Sequence, residues 1–193
     1  MKKTGKVALL GSLLVLLVVS VASATGNRGG GGARLAEQLA DARFATAEYA
    51  IDLDAARADG YSLQITPNMP NMGFHFLNPS IGGDFDVTKP PILVYVKRGS
   101  DWQLGALEWV FAERPAKPPL KGARYGSFPA ACHYADGSFL PAAAEADCAP
   151  TNGGAAFTFW HPRLVTLHVW LWYPNPDGLY ASTNPLVAPL TGE

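Results

Sequence analysis

The chain has 193 residues, with 15 Lys and Arg against 16 Asp and Glu and a formal charge of −1, so it lacks the basic excess that nucleic-acid binding requires. Aromatic residues reach 11% while charged ones stop at 16%, which excludes a disordered polyelectrolyte and indicates one globular domain with a real core. The 20 Gly and 16 Pro imply many turns.

Lys2, Lys3 and Lys6 precede an apolar run from Val7 to Val21, and Ala22-Ser23-Ala24 fits the small-x-small rule of signal-peptide cleavage. The run is short for a membrane span of roughly twenty residues. The expectation is an exported protein, periplasmic or extracellular, cut after Ala24, that meets a membrane only through this segment before cleavage. Loss of three lysines takes the basic count from 15 to 12 against 16 acids, a formal charge of −4.

Residues 25–33, TGNRGGGGA, read as a flexible leader. From Arg34 to Asp59 the pattern is helical. Leu35, Leu39, Ala42, Tyr49 and Leu53 recur at spacings of three, four and seven, Phe44 and Ile51 widen the stripe, and Gly60 follows as a cap. Asp52 marks the place where this helix would break. After Gly60 the period becomes two. YSLQI (61–65) and GFHFL (73–77) read as short strands, and PILVYVKR (91–98) and WQLGALEWVFA (102–112) as a hairpin around Gly99-Ser100-Asp101. Residues 113–130 form an irregular, proline-containing excursion. AAFTFW (155–160) and RLVTLHVWLWY (163–173) are the last strands, separated by a break at His161-Pro162. The tail from Pro174 reads as an arm laid across the sheet. These elements predict an α+β fold, with one long N-terminal amphipathic helix packed on a curved, mainly antiparallel sheet or half-barrel, and residues 34–193 as a single domain.

Cys132 and Cys148 bracket a polar, Ala-rich segment and have no Cys-x-x-Cys spacing. In an oxidising compartment such a pair is expected to form a structural disulfide, contributing about 3 kcal/mol through loop closure.

Three ionisable residues stand in apolar strands. His75 lies between two phenylalanines. In 102–112, Leu104, Ala106, Glu108 and Val110 share one parity. In 163–173, Leu164, Thr166, His168, Trp170 and Trp172 do. Buried groups of this kind need partners or lose their charge, and the economical solution is that they partner one another. Two imidazoles and a carboxylate suit a divalent transition metal, Zn, Cu, Fe or Ni, with an open position admitting water or substrate. A metal-free His–Glu network that holds the core together satisfies the same pattern. Met69, Met72 and His75 form M-x-x-M-x-x-H, a soft set suited to Cu(I), although methionine also fills cores. His133 and His161 read as surface or turn residues, with His161 the reserve ligand. Trp109, Trp170 and Trp172 are candidates for lining an apolar or sugar pocket, or are simply core. No G-x-S-x-G or H-E-x-x-H occurs.

ATAEYAIDLDAARADGY, MGFHFLNP, PILVYVKR, GALEWV and LHVWLWYPNPDGLYASTNP together resemble a group of exported bacterial proteins of unknown function. That group shares an A-x-A-D-G-Y helix end, an M-G-x-H-x-x-N-P motif, a V-E-[YW]-type strand and a late L-H-V-W-L-[WF]-x-x-N-P-x-G. The resemblance implies that His75, Glu108 and His168 occupy its three polar motif positions. It brings no activity. The expected function is an exported protein with an internal metal- or small-ligand-binding site. The alternatives are a metal-dependent enzyme using the same site, and a structural or interaction protein with a polar core network.

Overall fold

The computed structural model describes residues 30–190, so the expected export signal and cleavage point and the last three residues lie outside the described residues. Ten strands are described: β1 Leu63–Gln64, β2 Phe74–Leu77, β3 Ile92–Arg98, β4 Asp101–Phe111, β5 Gly126–Phe128, β6 Ala131–Tyr134, β7 Phe139–Pro141, β8 Thr151–Asn152, β9 Ala155–His161 and β10 Leu164–Val169. They form two antiparallel sheets, one ordered β1-β2-β3-β4-β10-β5 and the other β7-β6-β9-β8. The fold is therefore mainly β, and the α+β expectation is corrected.

The single long helix expected over 34–59 is absent. In its place stand α1 (Gly30–Ala45), a 3₁₀ turn (Ala47–Tyr49) and α2 (Leu53–Ala58). Local capping outcompetes continuation at two points. The Thr46 hydroxyl turns back onto the Ala42 carbonyl at 2.8 Å, and the Asp52 carboxylate accepts the Asp54 and Ala55 amides at 3.0 and 2.9 Å, which makes it an N-cap. The break rotates the apolar stripe. Ala42, Tyr49 and Leu53 are buried, with Leu35 and Leu39 packed against them, but Phe44 and Ile51 stay 88% and 83% exposed. Gly60 ends α2 as expected, and the Tyr61 amide bonds the Ala56 carbonyl at 3.0 Å.

The larger sheet carries two apolar faces. One, with Phe76, Leu93, Tyr95, Leu107 and Leu167, packs on the helices. The other carries Ile92, Val94 and Ala106, and meets Trp170 and Val187 of the C-terminal arm. Between β3 and β4 the register shifts, Val94 facing Ala106 and Tyr95 facing Leu104, so Gly105 is a bulge. The shift puts Leu104 in the helix-side core, away from Ala106. Simple alternation had placed the two together. β10 is shorter than expected, because after Val169 the Trp170 amide bonds Leu179 at 2.9 Å and the Trp172 and Tyr173 amides bond Gly105 at 3.0 and 3.1 Å. The arm does lie along the sheet. Pro162 and Arg163 separate β9 from β10, which belong to different sheets.

Cys132 on β6 is bonded to Cys148, with 5.6 Å between Cα atoms, as expected. Thiol titration of the denatured, unreduced chain should detect no free sulfhydryl, and two would remove the bond.

Candidate functional site

Register brings the three predicted residues to one face of the larger sheet. His168 on β10 lies opposite Glu108 on β4, Glu108 lies opposite Ile92 on β3, and His75 on β2 lies opposite Val94. His75 Nε2 stands 3.5 Å from Glu108 Oε2. The Thr66 hydroxyl accepts the His75 amide at 3.1 Å and lies 2.9 Å from His75 Nδ1. Having accepted the amide, this hydroxyl can give its own proton to Nδ1, which leaves the ring proton on Nε2, facing Glu108. Thr166 completes the arrangement with a hydrogen bond to the Glu108 carboxyl.

His168 stands apart. Its ring centre lies 6.2 Å from that of His75 and 4.9 Å from that of Trp170, and neither ring nitrogen bonds to another described residue. Among the described residues no group of three or more His, Cys, Asp or Glu side chains is arranged to hold a metal ion. Of the predicted ligands, then, two touch and the third is a neighbour.

Burial sets the protonation of all three. It pushes the Glu108 carboxyl up to about 7, against the Thr166 hydrogen bond, which favours the ionised form. It drives His75 down to about 4, and His168 down to about 3 with His75 adding to the effect. The 3.5 Å contact could be an ion pair by distance, but with His75 this hard to protonate it is an imidazole beside a carboxyl that is partly neutral at pH 7. Glu108→Gln keeps the shape and cannot ionise. A carboxyl raised from 4.5 to about 7 stabilises the native state below the unfolded value and loses that contribution as pH rises through 7, roughly 3 kcal/mol in all. Urea unfolding at pH 5 and pH 8 should therefore show wild type declining by about that much relative to Glu108→Gln. Parallel behaviour would mean that the carboxyl titrates normally.

His75, Glu108, Thr66 and Thr166 open onto a cavity of about 300 Å³. Its walls come from both sheets, with Leu77, Ile92, Val110 and Leu164 on one side and His133, Phe159 and His161 on the other, closed by Met69 and Met72. The reserve ligands thus share a space with His75 and Glu108, while His168 is not among the lining residues. The tryptophans do not line this cavity either. Trp109 belongs to the helix-side core and donates to the Asp86 carbonyl at 2.9 Å. Trp170 donates to Ala181 at 2.8 Å. Trp172 donates to the Thr46 hydroxyl at 2.9 Å, under the Arg43 guanidinium.

His133 and His161 lie in strands, where the sequence suggests surface or turn positions. His133 is a strand residue, 2% exposed, its ring stacked on Phe159 at 4.6 Å. Its Nδ1 meets the Ile65 carbonyl at 2.9 Å, His161 Nδ1 meets the Pro162 carbonyl at 2.7 Å, and the two Nε2 atoms face each other at 3.0 Å. Burial, with the neighbouring His161, pushes His133 down to about 4 despite the Ile65 carbonyl. A signal for His161 existed: on β9 it alternates in phase with Phe157 and Phe159. No helix among the described residues is long and apolar enough to cross a membrane. No family model, curated protein or solved structure matches the chain.

Proposed function

We propose that this chain is an exported binding protein that holds a small, largely apolar molecule between its two sheets, its one polar group read by His75 and Glu108. The observation that carries the reading is the cavity itself: about 300 Å³ with mainly aliphatic and aromatic walls and a few convergent polar groups, the usual make-up of a small-molecule site. A carboxyl whose pKa burial raises to about 7 can donate as well as accept, so an uncharged hydroxyl or carbonyl suits it better than an ion. The basic start, the apolar run and Ala22-Ser23-Ala24 support export, and the disulfide accords with an oxidising compartment.

The neutral fluorophore N-phenyl-1-naphthylamine should bind once and be displaced by 1-octanol more strongly than by octane, with about a tenfold preference from one hydrogen bond. Val110→Trp should fill the cavity and abolish binding, and Glu108→Leu should erase the alcohol preference alone. Fluorophore binding that Val110→Trp leaves unchanged would sink the reading.

One observation favours a second reading, catalysis: a carboxyl with a pKa near 7 beside an imidazole is suited to proton transfer. Turnover of a bound ligand, lost in Glu108→Gln while binding persists, would decide for it. Its metal-dependent form adds that a chelator and His168→Leu both abolish turnover.

A further inference from the structure

Across the cavity from Glu108, the two remaining histidines pose a problem of protons. A carbonyl oxygen only accepts hydrogen bonds. The Ile65 carbonyl at 2.9 Å from His133 Nδ1 and the Pro162 carbonyl at 2.7 Å from His161 Nδ1 therefore require a proton on each Nδ1. A neutral imidazole carries one N–H. Both Nε2 atoms are then bare lone pairs, and they face each other at 3.0 Å, a hydrogen-bonding distance with no hydrogen to fill it. The rings are not free to turn away. His133 is stacked parallel to Phe159, and Phe128 lies against both rings, with centroids at 6.2 and 5.6 Å. Two lone pairs held in opposition call for a cation between them.

We propose that His133 and His161 form a binding site for one Cu(I) ion, with a thioether of Met69 or Met72 completing the donor set. Each imidazole already gives its far N–H to a backbone carbonyl, the support that orients metal-ligating histidines and raises their basicity. Two metal–nitrogen bonds of about 2.0–2.1 Å meeting at the trigonal angle of a three-donor set place their nitrogens about 3.5 Å apart, so the observed 3.0 Å has to widen by about half an ångström. The remaining donors select the ion. Met69 and Met72 line the same cavity, carried on a tight turn in which Met69 and Gly73 exchange amide–carbonyl bonds at 2.9 and 2.8 Å, and their flexible side chains can reach inward. Both cysteines are tied up in the disulfide. The one carboxylate on the cavity wall, Glu108, is engaged by His75 and Thr166. Two imidazoles and thioether sulfur in an apolar cavity suit a soft, singly charged ion. The sequence pattern M-x-x-M-x-x-H supplies the sulfurs of this proposal, and the histidines come from the facing sheet.

The mature protein without a histidine tag, titrated anaerobically with Cu(I) against a chromophoric chelator, should take up one equivalent. His161→Phe should weaken binding by at least about 100-fold, the scale at which even outer-shell losses act, and it is a mild change at the half-buried end of β9. The double variant Met69→Leu, Met72→Leu should weaken it about tenfold and leave Zn(II) affinity unchanged. Absence of Cu(I) uptake, or uptake that His161→Phe does not alter, overturns the site. Zn(II) bound as tightly as Cu(I), with the methionine variant without effect, overturns the soft-ion assignment. Nitrogen-15 spectra showing one imidazolium shared by the two rings at pH 7, undisturbed by Cu(I), assign the bridging cation as a proton and also overturn the proposal.

Discussion

Gly73→Ala should be the most damaging small substitution in the chain, costing on the order of 3 kcal/mol or more. The residue sits at φ +110°, where side chains are strained, and an added Cβ would lie 2.2 Å from the Tyr95 carbonyl oxygen and 3.0 Å from its carbon. Those are backbone atoms of β3, held on both sides by β2 and β4, so no rotamer change relieves the clash. Relief requires β2 to swing off β3, which breaks the Phe74–Tyr95 pairing and carries His75 away from Glu108. Gly99→Ala is the control. Gly99 also has positive φ, at +60°, but nothing lies within 4 Å of its added Cβ, and strain alone should cost about 1 kcal/mol. Urea unfolding of the two variants separates crowding from strain. A Gly73→Ala protein as stable as Gly99→Ala, still binding the fluorophore, would show that the β2–β3 contact is loose.

What the residues revealed and concealed divides along the range of the forces involved. Strand positions are legible where apolar, β-branched and aromatic residues run between turn residues, so β3, β4 and β9 fall within a residue or two of expectation. Helix length is legible only in part: a break at Asp52 is expected from the sequence, whereas Thr46 ends α1 through its bond to the Ala42 carbonyl without interrupting the stripe from Leu35 to Leu53. The two-residue strand β1 lies inside the expected 61–65, while β8 carries no readable period. Their pairing is decided by partners far along the chain. His75 and Glu108 were found because buried charge is costly wherever it stands. Their contact depends on strand order, which local pattern does not encode. His133 was lost for the same reason. It lies in a short strand inside a stretch that looked like a disulfide loop, and only pairing with β9 reveals that it faces the cavity.

Acidification supplies the second large expectation, and four buried groups set its sign, His133, lowered to about 4, acting in the same sense as the two histidines beside Glu108. His75 and His168 have folded pKa values lowered from 6.5 to about 4 and about 3. Their neutral forms stabilise the native state above 6.5, and that contribution is lost as pH falls toward 4, roughly 3 kcal/mol for each. Glu108, which faces both, works in the opposite sense: raised from 4.5 to about 7, it regains about 3 kcal/mol over the same descent. With His133 adding to the histidine side, the metal-free wild-type protein should therefore lose at least about 3 kcal/mol net between pH 6.5 and pH 4, a large share of an ordinary folding stability. Glu108→Gln removes the opposing group and should add about 3 kcal/mol to the loss. His168→Leu removes one of the three buried histidines and should reduce the loss by about 3 kcal/mol, with little change at neutral pH, since the ring bonds to no other described residue. Chemical unfolding at both pH values, with a chelator present, places the three proteins in order. Should His168→Leu lose as much as wild type, its imidazole is protonated in the native state. Acid sensitivity would then have to come from His75 and His133, set against Glu108.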